Sequence, residues 1–268
     1  MNVDLTGVPE TMLLTLHDRA SEAARSDGVL RDETAVRIYK RIAFPFRERF
    51  GAPKAAHGVR AALFDERVRA FLAVNPSATI VSLGEGLETQ RYRIASPECL
   101  WISVDLPEAI DVREQFISPD ARHRHIRCSA LDLSWMESVP RDRPVFVVAQ
   151  GLFMYLSEAD VRGLLLEVER ELPGSTLLFD VVPAWQSRAT RSSRGWSPNR
   201  TYKLPPMPWG RNTDKLRGLL REWLPAARAL RVVRFPDLPR GPQRWAFRLM
   251  QLVPVLRQMG PSVAEVVV

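Results

Sequence analysis

Ala78-Thr79-Ile80-Val81-Ser82-Leu83 runs directly into Gly84-Glu85-Gly86-Leu87-Glu88-Thr89. A short apolar run closed by turn residues reads as a strand of a buried parallel sheet. Glycines at its end let the chain turn sharply and let a ligand approach the backbone closely. Similar runs follow at 100–105, 125–129, 145–149 and 176–182, with helical spacing between them at 108–116 and 158–171. This alternation predicts an open, doubly wound α/β sheet, whose ligands bind beyond the carboxyl ends of its strands.

Upstream, apolar residues at helical spacing predict helices from Met12 to near Gly28, over 34–44 up to Pro45, and over 54–74. Downstream, the pattern predicts a helix over 213–223, a strand over 230–235, a helix over 243–259 and a closing strand over 263–268. Residues 183–212 lack periodicity but hold Trp185, Trp196, Trp209 and five prolines. A loop of that length in a compact domain points to function, and its tryptophans call for burial or a ligand. The expected organisation is one domain: a helical cap (1–52), a cofactor-binding core (53–182), a lid loop (183–212) and C-terminal core elements (213–268).

The chain has 268 residues, 46% hydrophobic and 26% charged, and two cysteines, Cys99 and Cys128, without a paired-cysteine motif. That is the composition of a globular protein whose core needs no disulfide, and it predicts a reduced, cytoplasmic setting. The amino-terminal residues lack an export signal, and the longest apolar run, 145–156, is broken by Gln150 and Gly151, so no membrane span is expected. The net charge of +7 comes almost wholly from arginine scattered among 31 acids, which argues against a nucleic-acid surface. Basic charge concentrates only between Arg188 and Arg211, a candidate site for an anionic ligand. Oligomeric state is not legible.

Asp105, nineteen positions past Gly86, ends the second strand, where an acid can accept hydrogen bonds from both ribose hydroxyls. A dinucleotide is disfavoured: Thr89 replaces a third glycine, and Glu85 and Glu88 would repel a pyrophosphate. The same acids suit a ligand bearing a sulfonium and an ammonium, such as S-adenosyl-L-methionine. Arg60 could meet its carboxylate or could be an exposed helix charge. Asp132 could accept from the adenine amino group, with Leu133 packed on the ring, or could cap the helix that follows. Gln150 and Tyr155, after the fourth strand, fall near the reacting centre. His123, His125 and Cys128 lack a fourth metal ligand and sit among arginines, so no metal is expected.

Taken together, Arg60, Leu83-Gly84-Glu85-Gly86-Leu87-Glu88-Thr89, Tyr92-Arg93-Ile94, Val104-Asp105-Leu106-Pro107, Ala130-Leu131-Asp132-Leu133 and 150–156 resemble the leucine carboxyl methyltransferase family. More narrowly, they resemble its bacterial polyketide O-methyltransferase branch, the tetracenomycin type. The resemblance spans residues 8–182. It implies a class I S-adenosyl-L-methionine-dependent methyltransferase fold, a doubly wound, seven-stranded Rossmann-like sheet with an N-terminal helical cap. It also implies Arg60 on the methionine carboxylate, Gly84 and Gly86 beneath it, Asp105 on the ribose, and Asp132 and Leu133 at adenine, with Glu85, Leu106 and Gln150 completing the cofactor site. Three positions depart from the family pattern: Glu85 stands for a small residue, Glu88 for Asp, and Gln150 for the Glu of the protein-phosphatase methylators. The last argues against a protein substrate.

The expected reaction is in-line methyl transfer to an oxygen of a small, polyketide-like acceptor, with S-adenosyl-L-homocysteine as the product. A carboxylate acceptor needs no base, whereas a hydroxyl does, and only His17, His57 and Tyr39 in the cap are candidates for one. The expected acceptor residues are Tyr155, Trp185, Arg188 and Arg191, and the catalytic ones are Gln150 and Tyr155. A nicotinamide oxidoreductase and an RNA-modifying methyltransferase are the alternatives.

Overall fold

The computed structural model describes residues 5–94, 96–240, 243–253, 256 and 258–268. Four helices come first: α1 (Thr11–Ala23), α2 (Glu33–Arg41), α3 (Phe46–Phe50) and α4 (Ala56–Val74). The alternating part then runs β1 (Thr79–Leu83), α5 (Gln90–Ile94), β2 (Leu100–Asp105), α6 (Pro107–Glu114), β3 (His123–Arg127), β4 (Val145–Ala149), α7 (Glu158–Glu171) and β5 (Thr176–Val181). It closes with α8 (Ala184–Arg191), α9 (Thr213–Trp223), β6 (Ala229–Arg234), α10 (Gln243–Leu252) and β7 (Ser262–Val267).

These seven strands form one sheet in the order β3-β2-β1-β4-β5-β7-β6, with β7 antiparallel to both neighbours. β1, β4 and β5 are buried along their whole length, which is why they read as continuous apolar runs. Their alternate side chains feed two cores. Val81, Leu83, Val147 and Phe179 pack with Leu164 and Val168 of α7 and Leu216 and Leu220 of α9. Ile80, Phe146, Val148 and Leu178 face Leu63, Phe64, Val68 and Leu72 of α4. Helices on both faces make the sheet doubly wound, as expected.

A third apolar cluster joins α1, α2 and α3 to α6 through Leu13, Leu16, Ile38, Phe46, Phe50, Val112 and Ile117, and it includes Tyr202. This docks the cap on the strand ends. Tyr202 belongs to the segment read as a lid: Asn199 donates to the Arg49 carbonyl (3.1 Å) and Thr201 to that of Glu48 (2.6 Å), tying the segment to α3.

Several readings shift. The helix expected to near Gly28 ends at Ala23, where the chain turns over residues 24–27, and the short α5 forms where no helix is expected. β3 begins two residues before the expected 125, because this edge strand carries histidines and arginines instead of an apolar run. The helix expected to 44 stops at Arg41, since Phe44 precedes Pro45 and is excluded from helical geometry; α3 starts afterwards. Residues 184–191, read as loop, form α8, whose buried face is Ser187 and Thr190 and so has no apolar period. Of the helix expected over 243–259, residues 254, 255 and 257 lie outside the described residues.

Candidate functional site

The strand order reverses between β1 and β4, and a crevice at such a reversal is where open α/β sheets bind ligands. A cavity of about 270 Å³ lies there, at the carboxyl ends of β1, β2 and β4. Strand-end residues Gly84, Gly86, Asp105 and Leu106 line it with Ser129 and Ala130, and Arg60 of α4 with Gln150, Gly151, Leu152 and Tyr155. α1 supplies Thr11, Met12 and Thr15.

Both glycines are required. Gly84 has φ +63° and a Cβ there would stand 2.9 Å from Leu152 Cδ1; Gly86 has φ +51° and would meet Met12 Cβ at 2.9 Å. The cradle is therefore formed by backbone on which a side chain has no room. Asp105 braces the turn, its Oδ2 accepting from the Gly86 amide (2.6 Å) and its Oδ1 from Leu106 (2.8 Å). Burial pushes this carboxyl up, against the pull of the two amides.

On the opposite wall, Arg60 donates through Nη1 to Asp180 (3.1 Å), while its buried Nε has no partner among the described residues. Gln150 donates to Glu88 Oε2 (3.0 Å), and its buried Oε1 is likewise without a partner. A guanidinium donor and an amide acceptor left unsatisfied beside a glycine cradle and an acid fit the carboxylate, ammonium and ribose of an aminoacyl nucleoside. Tyr155 borders the same cavity, and burial raises its hydroxyl to about 12, partly offset by a hydrogen bond with Thr11.

Several expected residues stand elsewhere. Glu85 borders the cavity, but its carboxylate turns into the core, taking a hydrogen bond from Trp101 Nε1 (3.0 Å) and facing Arg113 (3.2 Å), so it cannot meet a sulfonium. Burial pushes it up despite that arginine. Asp132 takes the alternative role of cap: it accepts from the Ser134 amide (3.1 Å) and, like Leu133, is absent from the cavity lining. Trp185 donates to the Met259 carbonyl (2.8 Å) and packs by Trp196. Arg188 and Arg191 lie on the exposed side of α8, because Ser187 and Thr190 occupy its inner face. None of these three reaches the cavity.

The base candidates also fall away. His17 is buried between Tyr39 Oη and the Gly51 carbonyl, each 3.1 Å away, and His57 pairs with Asp18 at 2.6 Å. Among the described residues no cluster of three metal-ligating side chains exists, and no helix is long and apolar enough to cross a membrane. Cys99 and Cys128 are free thiols. His123 is held neutral by burial, at about 2, and bonds Ser103 Oγ (2.9 Å).

Glu88 anchors a buried cluster that the sequence did not reveal. Arg93 bonds Glu88 and Asp32 at 2.6 Å each and Asp65 at 2.8 Å, while Arg19 bonds Glu88 at 2.9 Å and Asp32 at 3.3 Å. The cluster ties α1 and the start of α2 to the glycine loop and, through Gln150, to the cavity wall. Burial alone would raise the Glu88 carboxyl, but the two guanidiniums outweigh it and hold it at about 2. A folded value below the unfolded one gives stability that is present above 4.5 and lost as pH falls through about 2. The depression corresponds to about 3 kcal/mol. Urea unfolding at about pH 7 and about pH 3 should show a smaller acid loss for Glu88→Gln than for wild type, and equal losses would refute the assignment.

The leucine carboxyl methyltransferase family profile matches residues 13–169. The tetracenomycin polyketide synthesis O-methyltransferase TcmP of Streptomyces glaucescens is 38% identical over 195 residues, 72% of each chain. The S-adenosyl-L-methionine-dependent methyltransferase dpfgK of Gibberella zeae is 32% identical over 184 residues, 62% of each chain. A solved structure of a possible exported protein from Bordetella parapertussis superposes with TM-score 0.51 at 14% identity, covering 97% of this chain and 95% of that one, a likeness of fold alone.

Proposed function

We propose, because this chain belongs to the leucine carboxyl methyltransferase family and is an S-adenosyl-L-methionine-dependent methyltransferase with the class I fold, that its acceptor is a carboxylate oxygen of a small, polyketide-like molecule. The polyketide part of this reading leans on the name of the Streptomyces relative. Its carrying observation is that, among the described residues, no side chain lining the cavity presents a free base to it: the Glu85 carboxylate is turned into the core against Trp101 and Arg113. The Tyr155 hydroxyl is held protonated, at about 12, and the Glu88 carboxylate is too weak a base, at about 2. Asp105 is occupied by two backbone amides. An acceptor that arrives already ionised needs no base.

We assign Arg60 to the methionine carboxylate, Gln150 Oε1 to the ammonium, and Asp105 to the ribose above Gly84 and Gly86. The adenine end falls to Leu106, Ser129 and Ala130. When bound, the cofactor supplies an electrophilic methyl group: one O–CH3 bond forms as the S–CH3 bond breaks, its electron pair returns to sulfur, and a methyl ester and S-adenosyl-L-homocysteine remain. A carboxylate and a sulfonium lose their opposite charges in that step, so an environment that solvates charge poorly favours it. Met12, Leu152 and Leu156 supply such walls, and α1 covers the strand ends against water. Tyr155, Thr11 and Thr15 are the polar groups left to orient the acceptor.

The test is the pH dependence of methyl transfer to an aromatic carboxylic acid and to the matched phenol. The acid should be methylated with a kcat/KM that is flat from about pH 6 to about pH 9, since its own ionisation is complete well below that range. Methylation of the phenol alone, rising with pH through a single ionisation, would overturn the carboxylate reading.

A further inference from the structure

Asp180 does not line the cavity, yet it bonds two groups that do. It interrupts the apolar run of β5, between Phe179 and Val181, and is only 3% exposed. Phe179 pairs with Ala149 in the β4–β5 ladder, so Asp180 stands beside the first residues to leave β4, Gln150 and Gly151. Its two oxygens are divided between two elements: Oδ2 accepts from Arg60 Nη1 at 3.1 Å, and Oδ1 accepts from the Gly151 amide at 2.5 Å. Gly151 has φ +73°, and a Cβ on it would come within 2.8 Å of the same Arg60 Nη1. The guanidinium thus lies against bare backbone on one side and a carboxylate on another. An arginine side chain has many rotamers, and here the acid and the glycine hold it against the turn.

We infer that Asp180 is a positioning residue for cofactor binding: it fixes the Arg60 guanidinium and the Gln150-Gly151 turn in the single register that receives the amino-acid end of S-adenosyl-L-methionine. The inference rests on the assignment of Arg60 to the methionine carboxylate. Its chemistry is specific to Asp. An Asn at 180 can still accept from the Gly151 amide, but the NH2 it then turns to Arg60 is a donor facing a donor. The guanidinium loses its anchor while the glycine cradle and Asp105, which hold the adenosine, stay as they are.

The experiment compares two ligands that share the adenosyl thioether. S-adenosyl-L-homocysteine carries the amino-acid end, and 5′-methylthioadenosine lacks it. Calorimetric affinities for both are measured on wild type, Arg60→Ala, Asp180→Asn and the double variant. Asp180→Asn should weaken S-adenosyl-L-homocysteine at least tenfold while changing 5′-methylthioadenosine less than about twofold, and adding Arg60→Ala should cost little more, because both changes remove one contact. In turnover the same variant should raise the KM for S-adenosyl-L-methionine more than it lowers kcat.

Equal weakening of both ligands would mark Asp180 as merely structural, and no weakening of either would leave it without a role; each result overturns the inference. If Arg60→Ala itself binds S-adenosyl-L-homocysteine as wild type does, the Arg60 assignment fails, and the inference falls with it. Should Asp180→Asn not fold, Asp180→Glu keeps the buried charge but shifts it by one methylene. It should show the same selective loss, and wild-type discrimination between the two ligands would overturn the inference equally.

Discussion

Arg93→Ala should melt roughly 10 °C below wild type, the largest stability loss expected of any single change outside the apolar core. Arg93 is 3% exposed and joins carboxylates from three elements: Asp32 before α2, Asp65 of α4 and Glu88 of the glycine loop. Ion pairs at the surface contribute little, but removing one partner of a buried pair strands the others and costs about 3–5 kcal/mol. Here Asp32 and Glu88 would be left to share Arg19, whose guanidinium is already made harder to charge by burial, and Asp65 would keep only Gln90 and the more distant Arg69 (3.6 Å). Arg93→Met, which fills the volume without the charge, should recover little of the loss. Thermal unfolding decides the matter, and a melting point within about 2 °C of wild type would show that the cluster contributes no net stability.

Asp105→Ala should weaken S-adenosyl-L-methionine about 100-fold or more. On the proposed site, this carboxylate gives up two hydrogen bonds to the ribose and the two it makes to Gly86 and Leu106, which shape the cradle. A hydrogen bond to a charged group is worth about 1.5–3 kcal/mol, so two lost to the ligand correspond to a factor on the order of a hundred or more. Saturating S-adenosyl-L-homocysteine should raise the melting point of wild type by several degrees and leave that of the variant unmoved. A variant that is stabilised as much as wild type would dissociate Asp105 from the cofactor.

How far the sequence reveals this molecule depends on the kind of signal each part leaves. β2, β4, α7 and α9 lie at the expected residues, because fully buried strands and one-sided helices impose periods that composition alone exposes. β3 slips and α8 is missed because an edge strand and a helix with a polar inner face impose none. In the site, Arg60, Gly84, Gly86, Asp105, Leu106, Gln150 and Tyr155 come together on one cavity, since strand ends and their turns fix position in a parallel sheet. Arg188 and Arg191 do not, and nothing in a helix without apolar periodicity tells which way its charges point. Glu85 and Glu88 were legible as acids beside a turn, but their partners Arg113, Arg19 and Arg93 lie on other elements. Asp180 did leave a signal, an acid inside an otherwise apolar strand, and only the fold shows which two groups it serves.

The sheet is also out of step with the order in which a ribosome makes it. β7 is synthesised after the other six strands of this sheet, yet it lies between β5 and β6 and pairs with both over six residues each. Until Ser262–Val267 emerge, β5 presents an unpaired backbone edge carrying Leu177, Leu178 and Phe179. Natural proteins guard such apolar edges against joining other chains. In this sheet the guard arrives after the other six strands, so a nascent chain interrupted before residue 262 exposes the edge most prone to aggregate, and synthesis of β7 is itself the protective step.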